Sequence, residues 1–144
     1  MPTIESEIET DVIMKPRFSV CEALKLARDK IKDPKNWNKN NPAQDTDGKQ
    51  IEPFSDKACS WCALGAVRAI FPIGVIDLYG LRMETYTDFC TFQTAKQLLD
   101  THTSHYDITF FNDHHDTTHG DVLALFDKAI AASKPEAAGA LKCQ

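Results

Sequence analysis

The sequence predicts a mainly α fold: a compact single domain of about four helices, with one long ordered loop and a short strand or an extended N-terminal arm. Three observations predict it. The chain has 144 residues, which is the size of one ordinary domain with a single core. Hydrophobic residues make up 42% and charged residues 26%, as in ordinary globular proteins. Apolar residues recur mainly at helical spacing rather than in strict alternation.

The charge and composition of the chain argue against two classes of partner. The formal net charge is −5 and no cluster of Lys and Arg stands out, so we expect no general nucleic-acid binding. No apolar stretch has the length that spans a bilayer, and the N-terminus is acidic where a signal peptide would be basic. We therefore expect no membrane partner and a cytoplasmic location. The five cysteines are an odd number in mostly helical patterns, which favours reduced thiols.

The first elements are an arm and a helix. Residues 1–17 form a polar, acidic N-terminal arm, and the single helical domain is expected over 18–132. Ser19 and Glu22 have the spacing of a capping box, and the apolar residues after them recur at helical spacing. This pattern predicts a helix over 20–32.

A long polar segment, KNWNKNNPAQDTDGKQIEPF, follows and is rich in turn-forming residues. Loops of this length are usually functional or well fixed. Trp37 is the expected anchor, because an indole gains by burying its large apolar area against the domain. Asp45 and Asp47, beside a turn at Gly48, are candidate binding residues on the same loop.

The run SDKACSWCALGAVRAIFP predicts a central, buried helix over 56–70. Ser55 stands at the cap position, and the apolar residues from Trp61 to Val67 lie on nearly every helical face. Gly65 indicates close approach of another helix or of the long loop, since a glycine inside a helix otherwise costs about 1 kcal/mol.

The rest of the chain predicts two more helices and a tail. An apolar face predicts the third helix over 85–100. HYDITFFND is expected to be a short strand or an extended segment that leads into the polar turn NDHHDTTH. The fourth helix, over 119–132, is the clearest, because Thr118 and Asp121 have capping spacing before an apolar face. The tail over 133–144 is expected to be flexible.

Four stretches resemble a protein family. They are NW…A.D.DG, WCALGAV, FFND and THGDVLALFDKAI, and they cover about residues 18–132 in the family's order. The family is an uncharacterised domain of unknown function found in bacteria, notably actinobacteria, and in their phages. The resemblance implies a compact, mainly helical domain with no assigned activity. It also implies that Cys62 is the cysteine shared with the family and that Cys59 is an addition in this chain.

Two cysteines and two histidines have spacings that suit a metal ion. Cys59 and Cys62 form a C-x-x-C pair and His102 and His105 an H-x-x-H pair, which together offer zinc a tetrahedral set. This alternative is weak, because both cysteines are expected inside a helix rather than on a knuckle. A redox pair is disfavoured too, because no strand is expected before the cysteines. We therefore predict no metal site and no cofactor.

Cys62 is also the candidate nucleophile. The start of a helix favours a thiolate. A histidine with Asn112 or Asp113 would supply a base and its orienting group, in the chain order of some cysteine hydrolases, and His119 with Asp113 is the chosen pair. The candidate histidines are His102, His105, His114, His115 and His119. Free cysteine is nevertheless among the most buried residue types, so packing is favoured and no catalytic residue is predicted. A small cysteine-dependent hydrolase or transferase, with a histidine from residues 102–119, stays the alternative.

Any functional cleft is expected between the turn NDHHDTTH, the loop from Trp37 to Gly48 and the start of the Cys62 helix, because the family's motifs fall in these three segments. The candidate binding residues are Trp37, Asp45, Asp47, Asn112, Asp113 and His119. Asn and Asp side chains also bond nearby backbone amides, which is the structural alternative for the turn. Its three histidines, with Asp113 and Asp116, are the best adventitious metal site in the chain.

The function predicted from these observations is that of a small soluble accessory protein of bacterial or phage origin. We expect a non-catalytic interaction or ligand-binding domain, with host–phage conflict as one setting. Its expected partner is a protein or a small-molecule ligand. The acidic arm and the lack of a local catalytic signature favour this interpretation.

Overall fold

The computed structural model describes residues 18–71, 83–103 and 105–134, in which five α-helices, one short 3-10 helix (Pro34–Asn36) and one small sheet lie. The helices are α1 (Val20–Lys30), α2 (Ala63–Ile70), α3 (Met83–His102), α4 (Ile108–Asp113) and α5 (His119–Ala132). The strands are β1 (Ala43–Gln44) and β2 (Ser60–Trp61), which pair antiparallel. The mainly α prediction is confirmed. The expected arm over 1–17 and the last ten residues of the expected tail lie outside the described residues.

Helix α1 begins where the sequence predicts. Ser19 Oγ accepts a hydrogen bond from the backbone N of Glu22 at 3.0 Å, and Glu22 Oε1 accepts one from Ser19 N at 2.8 Å. This reciprocal pair satisfies two amide groups that the first helical turn leaves open. The buried face of α1 packs against α2, α3 and α5. Its core side chains, with the residue that ends the helix, are Ala23, Leu24, Ala27 and Ile31.

Helix α2 is shorter than the predicted helix over 56–70, because it begins only at Ala63. Its N-cap is Cys62 rather than Ser55. The preceding residues are extended, since β2 pairs with β1. Trp61 Nε1 donates to Pro53 O at 2.8 Å, so the indole is held by the loop instead of a helix face.

The predicted close approach at Gly65 is confirmed, and the neighbour is the long loop. A β-carbon built on Gly65 would stand 1.8 Å from the carbonyl oxygen of Pro42, where real β-carbons essentially never come under 3.0 Å. The same oxygen accepts a hydrogen bond from Cys62 N at 3.3 Å. The loop therefore lies directly on the first turn of α2.

Helix α4 replaces the strand or extended segment expected from HYDITFFND. Asp107 caps it, because its Oδ1 accepts a hydrogen bond from Phe110 N at 2.8 Å. Asp100 Oδ1 accepts another from Ile108 N at 2.8 Å, which ties the start of α4 to the end of α3. Six residues are too few for their apolar spacing to distinguish a helix from a strand.

Helix α5 confirms the prediction for 119–132. Thr118 Oγ1 accepts from Asp121 N at 3.1 Å, and Asp121 Oδ2 accepts from Thr118 N at 3.0 Å. This helix and α3 complete the core with a set of buried side chains. They are Phe92, Ala95, Leu98, Leu99, Val122, Leu125, Phe126, Ala129 and Ile130.

Across the described parts of the chain, none of the helices combines the length and the apolar character needed to cross a lipid bilayer.

Candidate functional site

Asn112, at the end of α4, is a buried junction of four hydrogen bonds. Its side chain is 0% exposed. Oδ1 accepts from Trp37 Nε1 at 2.7 Å and from Ala63 N at 3.0 Å, while Nδ2 donates to Asn38 O at 3.1 Å and to Asp113 Oδ1 at 2.9 Å. Both amide hydrogens and the carbonyl oxygen are thus engaged within the protein. The side chain joins the long loop, the start of α2 and the end of α4.

Trp37 anchors the loop, as the sequence predicts. Besides donating to Asn112, its indole packs against the core and lies 5.7 Å from the ring of His119. Lys39 Nζ donates to the carbonyl oxygen of His114 at 2.7 Å, which adds a second tie between the loop and the turn after α4.

Asp113 fixes an unusual backbone conformation. Besides the amide of Asn112, its Oδ1 accepts a hydrogen bond from Asn40 N at 2.8 Å. Asn40 has φ of 78°, in the left-handed region that asparagine tolerates better than most residues. The Asp113 carboxylate therefore holds the loop in the shape that lets it lie on α2.

His119 links the start of α5 to the end of α1. Its Nε2 lies 2.6 Å from the carbonyl oxygen of Ile31. A carbonyl oxygen only accepts, so this nitrogen carries the proton and donates. The ring also makes the contact with Trp37 already described.

Asp45 and Asp47 lie in a tight turn between β1 and the residues that follow. Asp45 Oδ1 accepts from Asp47 N at 2.9 Å and from Lys49 N at 3.0 Å, and Gly48 takes the positive φ of 79° that closes the turn. Both amide hydrogen bonds end on the Asp45 carboxylate, which stabilises the turn.

Cys62 lies at the N-terminus of α2 and lines a small cleft of about 80 Å³ together with Pro42, Arg68 and Asp113. It is 6% exposed, and its Sγ accepts a hydrogen bond from Gly65 N at 3.2 Å. Burial raises the pKa of the Cys62 thiol, and the negative charge of Asp113 raises it further against the lowering effect of the Gly65 amide. The thiol is therefore neutral at pH 7.

The candidate catalytic set of Cys62, Asp113 and His119 is only partly brought together. Cys62 and Asp113 line the same cleft, whereas His119 is not among its lining residues and binds the carbonyl of Ile31 instead. No histidine lines this cleft in the part of the chain that the structure describes.

The alternative zinc set is not assembled. Cys59 is exposed in the loop before β2, while Cys62 is buried at the N-cap of α2. His102 Nδ1 donates to Leu98 O at 2.9 Å within α3, and His105 packs against aromatic rings around α4. Among the described residues, no three of these four side chains come within metal-binding reach of one another.

A wide cleft of about 560 Å³ lies on the outer side of α4, and sequence reasoning did not identify it. Its lining includes Tyr106, Phe110, Asp113, His114 and His115. Tyr106 is 87% exposed and Phe110 54%. The signal in the sequence was the aromatic cluster in HYDITFF, but its exposed members can be chosen only once the segment is known to be helical.

These contacts define a class of structure: a small, mainly helical domain whose long loop is fastened to the start of one helix and the end of another through a buried asparagine. The chain belongs to a family of unknown function (DUF6197), whose profile matches residues 16–132. The match confirms the resemblance to a domain of unknown function and spans all five helices. No curated protein and no solved structure matches the chain.

Proposed function

We propose that this is a non-catalytic protein-binding domain whose contact face is the wide cleft on α4, centred on Tyr106 and Phe110. The observation that carries the proposal is the exposure of these two rings on one cleft. Among the described residues, the third large apolar side chain of comparable exposure is Leu26, on α1. Single exposed apolar residues are ordinary, but neighbouring aromatic rings in a concave surface are typical of interaction sites.

The motif residues support this choice indirectly. Trp37, Asn112, Asp113 and His119 all make hydrogen bonds that hold the loop and the helices together. Tyr106 is instead mostly exposed to solvent, and Phe110 is about half exposed. A partner therefore gains more apolar contact area at the cleft than at the motif residues.

The cleft is held rigidly from beneath, which favours binding. Ile108, between the lining residues Asp107 and Thr109, is fully buried, and Asp100 accepts a hydrogen bond from its backbone N. The tie from Lys39 to the carbonyl of His114 fixes the turn at the other end. A preorganised surface loses less conformational entropy on association.

A protein is the better fit than a small molecule. Small-molecule pockets usually enclose most of the ligand surface, whereas the walls of this cleft are themselves largely exposed. Asp107 and Asp113 on its lining favour a partner that offers an apolar side chain beside Lys or Arg.

We place this binding in the cytoplasm of a bacterial cell or an infected host cell, with host–phage conflict as its setting, on the strength of the motif resemblance to bacterial and phage proteins.

The test identifies the partner and then measures its affinity. A photo-crosslinking amino acid at position 106 identifies the partner in cells of the source organism. The same amino acid at position 26, on α1, is the control. Binding of the purified partner is then measured by calorimetry for wild type, Tyr106→Ala/Phe110→Ala and Leu26→Ala. We expect the double variant to bind at least about tenfold more weakly and Leu26→Ala to bind like wild type. A partner that binds the double variant as tightly as wild type, or that crosslinks equally from position 26, overturns the proposal.

The second candidate is a small hydrolase or transferase that uses Cys62. The observation in its favour is that Cys62 and Asp113 line one cleft. Such an enzyme requires Cys62 to be a thiolate, whereas the raised pKa of the Cys62 thiol favours its neutral form. Alkylation with iodoacetamide at pH 7.5, followed by peptide mass spectrometry, separates the candidates. A packing role gives modification of Cys59 well before Cys62, whereas a nucleophile gives the reverse order.

A further inference from the structure

The turn after α4 brings together two imidazoles and a carboxylate. We propose that His114, His115 and Asp116 bind a divalent transition-metal ion. One ligand atom from each residue lies within 4.8 Å of the other two, and this is the single group of three such side chains among the described residues. His115 Nε2 and Asp116 Oδ1 are 3.4 Å apart. Two ligands about 2.1 Å from a tetrahedral zinc ion are separated by about 3.4 Å, so this pair already has the required spacing.

His114 lies beside this pair and must turn to complete the set. Its ring stacks on His115 with centroids 4.5 Å apart and an interplanar angle of 22°, whereas an ion that binds both imidazoles lies close to the plane of each ring. Asp116 N donates to His114 Nδ1 at 3.1 Å, so the lone pair of this ring is on Nδ1 and points toward Asp116. A metal ion that takes this lone pair replaces the backbone amide hydrogen. Binding therefore costs one exposed hydrogen bond and is weaker than at a closed structural site.

The donor set and its exposure define the kind of ion. Imidazole nitrogen with carboxylate oxygen suits zinc, copper and nickel better than magnesium or calcium. The side chains of His115 and Asp116 are 83% and 77% exposed, so an ion reaches them directly from solvent. Three protein ligands leave a fourth position for water or for a donor from another molecule.

Zinc titration of the full chain tests the site without reference to any partner. The protein is first stripped of metal with a chelator, and zinc binding is measured by calorimetry at pH 7.5 and again at pH 5.5. We expect one equivalent to bind at pH 7.5 and the affinity to fall at pH 5.5, because protons compete for the imidazole lone pairs. Zinc should also raise the melting temperature of the wild type.

Two ligand variants and two controls test whether His115 and Asp116 bind the ion. His115→Ala and Asp116→Asn should each weaken zinc binding by at least about tenfold, since even groups behind the metal ligands are worth 10–100-fold in other sites. His102→Ala is the control, because its Nδ1 donates within α3. Cys59→Ala removes the exposed thiol that is the competing zinc ligand.

The melting temperatures and zinc affinities of these variants decide whether the proposal stands. Both ligand variants should keep the metal-free melting temperature of the wild type, because their side chains are exposed. No saturable zinc binding, unchanged affinity in His115→Ala and Asp116→Asn, or loss of binding in Cys59→Ala or His102→Ala overturns the proposal. His114 and His115 also line the wide cleft, but the zinc titration uses no partner and leaves Tyr106 and Phe110 unchanged, so its failure is distinguishable from failure of the protein-binding proposal.

Discussion

At the scale of single residues, the stability of the domain depends on a few buried polar side chains. Asn112 serves three chain segments at once, and Cys62 places a neutral thiol over the first turn of α2. The sequence singled out both residues. It did not reveal their partners, because a hydrogen bond between residues 75 positions apart has no local pattern.

We predict that Asn112→Ala strongly destabilises the domain. Trp37 Nε1 and Ala63 N lose their shared acceptor, and each buried donor left unsatisfied costs about 1–3 kcal/mol. The free energy of unfolding should fall by about 3 kcal/mol or more in urea titrations followed by circular dichroism. Gln50→Ala, which removes an exposed amide, should change it by less than about 0.5 kcal/mol. Similar losses in the two variants would contradict the role of Asn112 as a junction.

Stability should decrease at alkaline pH because of Cys62. Burial raises the pKa of its thiol in the folded protein, while the thiol of an unfolded cysteine has a pKa of about 8.5. Above that pH the folded state holds the proton and the unfolded state has lost it, so the free energy of unfolding falls as pH rises. Urea unfolding at pH 7.5 and pH 9.5 should show a larger decline for wild type than for Cys62→Ala. Equal declines would mean that the Cys62 thiol does not titrate differently on folding.

At the scale of elements, the structure departs from the sequence prediction where a segment has a partner elsewhere in the chain. Residues 56–62 have the apolar content of a helix, yet β2 pairs with β1 and Cys62 becomes the cap. Helices α1 and α5 were predicted closely, because each carries its own capping box and apolar face. Local signals thus predict an element well when the element is stabilised locally.

Gly65 and Gly120 form a matched pair for testing the loop contact on α2. A β-carbon at Gly65 meets Pro42 O at 1.8 Å, whereas at Gly120 in α5 the nearest atom is 3.8 Å away. We expect Gly65→Ala to lower the melting temperature severely or to prevent folding, since the loop must move. Gly120→Ala should leave it unchanged or raise it, because alanine favours a helix over glycine by about 1 kcal/mol. Equal melting temperatures for the two variants would show that the loop does not lie on α2.

At the scale of the whole molecule, one apolar core joins α1, α2, α3 and α5. Its largest fully buried side chains include Phe126, Leu24 and Leu99, one from each of three helices. The sequence predicted these faces from helical spacing. The wide cleft was missed because exposure depends on which neighbours cover a residue, and the described neighbours leave Tyr106 87% and Phe110 54% exposed.

Phe126→Ala should cost about 3–5 kcal/mol of the free energy of unfolding, because truncation loses both burial and packing. Leu26→Ala is the control, since Leu26 is already 39% exposed and should lose far less. Denaturant titrations of the two variants provide the comparison. A small effect of Phe126→Ala would place α5 outside the shared core.

The distant contacts of Asn112 also have a kinetic consequence. Its partners Trp37 and Ala63 precede it by 75 and 49 residues, so these bonds form only after two long chain segments have closed. We expect them to be absent from the folding transition state. Asn112→Ala should then accelerate unfolding and leave the refolding rate almost unchanged, a φ-value near zero. Stopped-flow tryptophan fluorescence of wild type and variant measures both rates, and slower refolding with an unchanged unfolding rate would show that the junction forms early.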